Sequence, residues 1–332
     1  MAPRRPWLLL LAGLGLAAGV VALAGDVRGI RAQLASVRWR WVGVALSLSA
    51  TNYVARWLRW QFYLRRQRIS VPRTSSVVVF GAGLSLAITP AKLGELAKSY
   101  LLREMHGVPA SQSAPIVIAE RVTDLVALLT VGVIGVAVYG VAPGLVASAA
   151  AVIGLGLVLL AWPRPARLVI HHVTRPRRLR RLRAPLRAVY DDLSTLCSPR
   201  PLALATAIAV PAWLCECLGF AWILHAFPAT EIDVGVAVVI YALTTIAGAL
   251  SFLPGGLGVT EGAMTLMLVR AATRITSTTA VTATLLTRFA TLWFGVAVGL
   301  LFMVLARRRI AALARTAEPA PTAEAAAPSP PG

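Results

Sequence analysis

Apolar residues run through this chain in long blocks parted by short polar segments, many of them rich in arginine. The blocks are Trp7–Leu23, Trp41–Leu64, Ser113–Tyr139, Gly144–Trp162, Leu202–Phe227 and Thr279–Leu305. About twenty mainly apolar residues in a helix cross the ~30 Å core of a bilayer. The pattern therefore predicts about six full spans. Two further apolar regions, 75–103 and 234–270, are interrupted in the middle.

The second interruption is SFLPGGLGVTEG, residues 251–262. The run Val234–Phe252 stops at Pro254. Gly255, Gly256 and Gly258 follow, then Glu261, and apolar sequence resumes at Ala263–Val269. Proline removes a backbone donor and clashes with the preceding turn. Glycine opens conformations closed to other residues. The first interruption matches it. Aligning Pro90 with Pro254 sets Leu86 on Leu250, Leu93 on Leu257 and Gly94 on Gly258, with Glu95 close behind. Each break is followed by a long apolar helix opening near an arginine, Arg121 or Arg288. One break alone reads as a kinked helix or a turn. Paired breaks in the two halves of a chain point to a transporter's binding site.

The chain has 332 residues, 58% hydrophobic and 14% charged. A soluble fold of this length could not hide that much apolar surface. The net charge of +20 would suggest nucleic acid in a soluble protein. Here the arginines sit between spans, as cytoplasmic loops require, so nucleic acid is excluded as a partner. Cys197, Cys215 and Cys217 show no metal spacing and are expected as free thiols.

Charge placement decides the topology. The linker after Trp162 carries ten arginines, Arg164 to Arg200. If both interrupted regions crossed the membrane, that linker would lie outside, against the positive-inside rule. If each is a re-entrant hairpin, the basic N-terminus, Arg65–Arg73, the linker and Arg307–Arg315 are all cytoplasmic. Glu231 and Asp233 are then outside. The arm Ser76–Ile88 is roughly 20 Å long as a helix, too short to span. The hairpins enter from opposite faces. The expected fold is thus all-α: a polytopic integral membrane protein of about six spans plus two re-entrant helical hairpins, arranged as inverted repeats.

The expected organisation has an N-terminal helix and loop over 1–40 and repeat 1 over 41–140, with its hairpin at 75–103. An extra span and the basic linker cover 141–201. Repeat 2 covers 202–306, with its hairpin at 234–270. A basic and then disordered tail covers 307–332. The first block also reads as a cleavable signal peptide, and a retained helix is the favoured reading. The linker reads equally as a surface helix on anionic headgroups or as a plain loop. Both termini are expected in the cytoplasm, and the membrane is expected to be the plasma membrane.

The intramembrane cations are Arg56, Arg59, Lys92, Lys98, Arg121 and Arg288. The anions are Glu95, Glu120, Asp124, Glu216 and Glu261. Arg59 fits an interfacial belt of Tyr53, Trp57, Trp60 and Tyr63 with snorkelling arginines; Arg56 lies a turn deeper. The near balance of signs suits structural ion pairs. It equally suits a polar pathway for a charged headgroup. On the second reading Arg56, Lys92, Glu95, Glu120, Arg121, Asp124, Glu216, Glu261 and Arg288 bind substrate, while Pro90, Gly94, Pro254, Gly255, Gly256 and Gly258 form the breaks. No HExxH, GxSxG or P-loop occurs, so neither enzyme nor cofactor is expected.

The pattern Thr89-Pro-Ala-Lys-Leu-Gly-Glu95, Glu120-Arg121, Leu253-Pro-Gly-Gly-Leu-Gly-Val-Thr-Glu261 and Arg288 resembles the lysylphosphatidylglycerol synthase transmembrane family. The resemblance covers about residues 5–310. It implies a flippase-like domain that moves, or helps move, aminoacylated phospholipid between leaflets. The synthase form carries an aminoacyl-transferase domain after its membrane part, and the expectation here is the membrane region alone, without that domain. The implied partner is a membrane lipid: an anionic or aminoacylated phospholipid, or a polyprenyl-phosphate-linked species. The alternative is a non-transporting partner of a lipid- or glycan-modifying enzyme.

The topology is directly testable. Single cysteines at Arg178 and Arg309 should react with an impermeant thiol reagent only from the cytoplasmic side, and one at Glu231 only from outside. Outside labelling at Arg178 would overturn the hairpin assignment.

Overall fold

The computed structural model describes residues 27–90, 93–140, 142–176, 179–228, 230–272 and 275–317. The expected first span, Lys92, Arg178 and the Ala/Pro tail lie outside the described residues. The rest is helical. The order is α1 (Val27–Ser36), α2 (Trp39–Arg66), α3 (Arg73–Leu84), α4 (Ala97–His106), α5 (Ala110–Tyr139), α6 (Pro143–Ala161) and α7 (Pro163–Val173). Then come α8 (Arg183–Leu196), α9 (Pro199–His225), α10 (Val234–Leu250), α11 (Val259–Ala271), α12 (Ser277–Arg288) and α13 (Phe294–Ala317). Among the described residues no strand forms.

Helices α5, α6 and α9 are long and apolar enough to cross a membrane, as is the continuous run Ser277–Leu313 made by α12 and α13. Helix α2 has 28 residues, roughly 42 Å, but carries charges inside. The protein is an all-α polytopic membrane protein.

Both interrupted regions fold as helix, break, helix. In the first, α3 ends at Leu84, and a short 3-10 turn, Leu93–Leu96, leads into α4. Thr89 holds the turn: its Oγ1 accepts from Gly94 N at 2.6 Å and donates to Leu86 O at 2.8 Å. In the second, α10 ends at Leu250 and α11 starts at Val259. Gly255, Gly256 and Gly258 take φ of +60°, +67° and +87°, which side chains resist. Glu261 Oε2 accepts from Gly258 N at 2.6 Å and so caps α11. The four arms have 12, 10, 17 and 13 residues, about 15–26 Å each. Every arm is shorter than the ~30 Å core.

The breaks meet. Pro90 and Pro254, the two residues that align the motifs, form an isolated antiparallel bridge. Around this point the packing is reciprocal. α2 packs along α9, α3 along α13, and α10 along α5. Close approach needs glycine at both crossed contacts. A Cβ on Gly135 of α5 would sit 1.9 Å from Val239 Cγ2 of α10, and one on Gly299 of α13 would sit 2.1 Å from Ser85 N.

Two sequence readings are resolved by these contacts. The basic linker forms helices α7 and α8 rather than a plain loop, and α8 packs on α5. The interfacial belt does not form as expected. Arg59, Trp60 and Tyr63 are fully buried, because α9, α3 and α5 cover that face of α2.

Gly258→Ala should lower the stability of the detergent-solubilised chain by about 1–2 kcal/mol, from strain at a left-handed position. Gly262→Ala, inside α11 with open space beside it, should be neutral or stabilising by about 0.5–1 kcal/mol. Thermal unfolding of both variants checks the difference.

Candidate functional site

Helical spacing builds the polar centre. On α2, Asn52, Arg56, Arg59 and Tyr63 recur every three or four residues and share one face. On α5, Glu120 and Asp124 do the same, with Arg121 beside them. The 3-10 turn after the first break delivers Glu95, and α4 delivers Lys98.

These groups form one buried network. Glu95 Oε1 lies 3.5 Å from Arg56 Nη2, and Glu95 Oε2 lies 3.1 Å from Lys98 Nζ and 3.2 Å from Arg121 Nη2. Lys98 also pairs with Glu120, and its ammonium lies over the Trp60 ring at 4.8 Å. Asp124 accepts from Arg59 at 2.7 Å, from Arg121 at 3.1 Å and from Trp213 Nε1 of α9 at 2.9 Å. Pairing is what lets these charges sit in an apolar medium.

The second break has a simpler arrangement. Glu261 Oε1 lies 2.6 Å from Arg288 Nε, while its Oε2 caps α11. Arg288 Nη2 donates to Gly255 O, tying the tip to α12. The helix then loosens into a single π-turn at Phe289–Trp293. Tyr53 Oη of α2 donates to Thr291 O within it at 2.7 Å. Such π-turns are frequent at functional sites.

A cavity of about 360 Å³ opens between the two breaks. Thr89 lines it from the first break, and Gly255 and Gly256 line it from the second. Arg56, Arg121, Asp124, Glu216 and Arg288 line it from the spans. Glu95, Glu120 and Glu261 do not. They stand behind the wall and hold the arginines that do. Of the break residues, Pro90, Gly94, Pro254 and Gly258 shape the turns without lining the cavity. Glu216 differs from the other acids. Its Oε2 accepts from Tyr241 Oη at 2.8 Å, and among the described residues no cation lies within ion-pair distance.

Leu93, Phe252 and Leu253 line the same cavity and are 60%, 68% and 44% exposed. Phe252 takes φ of +56°, an uncommon conformation for a residue with a side chain. Apolar side chains at the rim suit lipid better than water.

Sequence reasoning left Lys98, Tyr53, Trp213 and Tyr241 out of the candidate site. Lys98 carried a signal, since it lies three residues from Glu95. The aromatic residues carried none, because aromatics are common in any span. Among the described residues no group of three His, Cys, Asp or Glu side chains could hold a metal ion.

A search of curated proteins finds no match. The family model described as the lysylphosphatidylglycerol synthase TM region matches residues 10–299. The match takes in both breaks, the ion network and the cavity, and the chain belongs to that family.

Proposed function

We propose that this protein moves a phospholipid, or a lipid-linked intermediate, from one leaflet to the other. The family supports a role in lipid metabolism or transport. The carrying observation is that both helix breaks meet at Pro90 and Pro254 and that their neighbours Thr89, Gly255 and Gly256 line one cavity together with Arg56, Arg121 and Arg288. A headgroup crossing a ~30 Å core needs a polar route, while its acyl chains can remain in lipid.

In this reading Arg121 and Arg288 take the headgroup phosphate. Their side chains are 21% and 12% exposed, the most accessible of the core cations. Among the described residues Arg121 Nε, itself buried, has no hydrogen-bond partner. Leu93, Phe252 and Leu253 pass the acyl chains sideways into the bilayer. The breaks would dip in from opposite faces as re-entrant hairpins, and the reciprocal packing of α3 on α13 and α10 on α5 supports an inverted pair of repeats. The reading places the protein in the plasma membrane, with both termini cytoplasmic and no catalysis of its own.

A second reading draws on the ion pairs. So many buried pairs would also suit a rigid membrane partner of a lipid- or glycan-modifying enzyme. Purified protein in vesicles separates the two. The expected outcome is movement of acyl-labelled phospholipids or polyprenyl phosphates across the bilayer. No movement of either class, with the fold intact, would favour the partner reading.

Charge removal gives a sharper test. Arg288→Gln should slow lipid movement by at least about tenfold, a loss of about 1.4 kcal/mol of headgroup binding. Glu261→Gln should also slow it, because Arg288 is then left unpaired. In the translocator the double variant stays slow, since the phosphate has lost its cation. Recovery in the double variant would make the pair a mere lock.

A further inference from the structure

The core charges among the described residues are five cations, Arg56, Arg59, Lys98, Arg121 and Arg288, and five anions, Glu95, Glu120, Asp124, Glu216 and Glu261. They are not evenly shared. The network on α2, α4 and α5 joins four cations to three anions and carries one surplus positive charge. Arg288 and Glu261 cancel. The balancing negative charge is Glu216 on α9, which takes no part in any of these pairs.

Glu216 is also built differently. It is 7% exposed, and its single partner is a neutral hydroxyl on Oε2. Oε1 has no hydrogen-bond partner among the described residues, yet the side chain lines the cavity. Tyr53, Trp213 and Tyr241 line the same cavity. A carboxylate with an open oxygen among aromatic rings is the chemistry that receives an ammonium group, through charge and through the ring faces.

We infer that the cavity selects a net-neutral zwitterionic headgroup, with its phosphate at Arg121 and Arg288 and a single ammonium at Glu216. This rests on the lipid-handling reading above and adds a second recognition point to it. The core formed by the described residues is electrically neutral as a whole but divided into a positive and a negative side. A phosphate alone would leave it one charge negative, and a headgroup with two ammonium groups one charge positive. Either excess is costly away from water. A headgroup with one of each leaves neutrality intact and satisfies both sides.

The test uses the full-length chain in vesicles with acyl-labelled phosphatidylethanolamine and phosphatidylglycerol. Ethanolamine lipid should cross at least about tenfold faster, and Glu216→Gln should bring the ratio to one or below, since the core then carries one surplus positive charge. Glu216→Asp, which keeps the charge, should retain the preference. A second measurement is equilibrium binding of dihexanoyl versions of the two lipids to the detergent-solubilised chain, followed by tryptophan fluorescence. If neither lipid crosses but the ethanolamine form binds about tenfold tighter and Glu216→Gln removes the difference, the subsite stands and translocation falls. If both cross at equal rates in the unaltered protein, translocation stands and the zwitterion subsite is overturned. A preference that survives Glu216→Gln overturns it too. Should Glu216→Gln fail to fold, equal binding of the two lipids by the unaltered chain overturns it equally.

Discussion

Backbone that leaves a helix inside a bilayer has to find partners for its N–H and C=O groups within the protein, because lipid offers none. In this chain each break is the other's partner. The bridge between Pro90 and Pro254 joins the two stretches of non-helical backbone. Other features follow from that joint. The spans have to pack so that the tips touch, which requires α3 to lie on α13 and α10 on α5. Glycine has to stand where those helices cross closest, at Gly135 and Gly299. A space bounded by two turns rather than by two packed helices is left between the tips, and that space is the cavity.

The charges solve a second form of the same problem. An arginine lining a cavity among apolar spans needs a counter-ion, yet under the proposed function a counter-ion in the cavity would compete with an incoming headgroup. The protein puts most of the acids behind the wall. Glu95 holds Arg56 and Arg121 from there, and Glu261 holds Arg288. The anions singled out as substrate contacts therefore sort into two kinds. Glu95, Glu120 and Glu261 fix the position of cations, while Asp124 and Glu216 reach the cavity.

How far this was legible in the sequence depended on the range of the interaction. Helix positions, the two breaks and their pairing followed from local pattern, since proline and glycine act on their own backbone. The alignment of Pro90 with Pro254 even named the residues that touch. The burial of Arg59 was not legible. An arginine among tryptophans near a helix end looks the same at an interface as inside a bundle, and only α9, α3 and α5 packing over it decides the matter. The role of Tyr241 was hidden for the same reason. A tyrosine on an apolar helix gains meaning only when Glu216, on another helix, comes within 2.8 Å of it.

The distribution of strong and weak contacts between the repeats bears on mechanism. The core ion pairs described above each join residues within 41–140 or within 202–306, the two segments expected as repeats. Arg56, Arg59, Lys98 and Arg121 pair with Glu95, Glu120 and Asp124 in the first, and Arg288 pairs with Glu261 in the second. Between these two segments the links among the described residues include single hydrogen bonds, Asn52 to Ala212 O, Tyr53 to Thr291 O and Trp213 to Asp124, and the stacking of Trp41 on Trp222 and of Tyr53 on Phe294. Breaking a buried ion pair costs about 3–5 kcal/mol, whereas a typical hydrogen bond is worth about 1 kcal/mol net, or somewhat more to a charged group. A movement of residues 41–140 against residues 202–306 would thus leave these ion pairs intact, but it would have to exchange the packing of α2 on α9, α3 on α13 and α10 on α5. The pairs that look like locks make each repeat stiff in itself. Under the proposed function, a rigid-body exchange of access between leaflets would require stiffness of that kind, and ion pairs that bridged the two segments would oppose it.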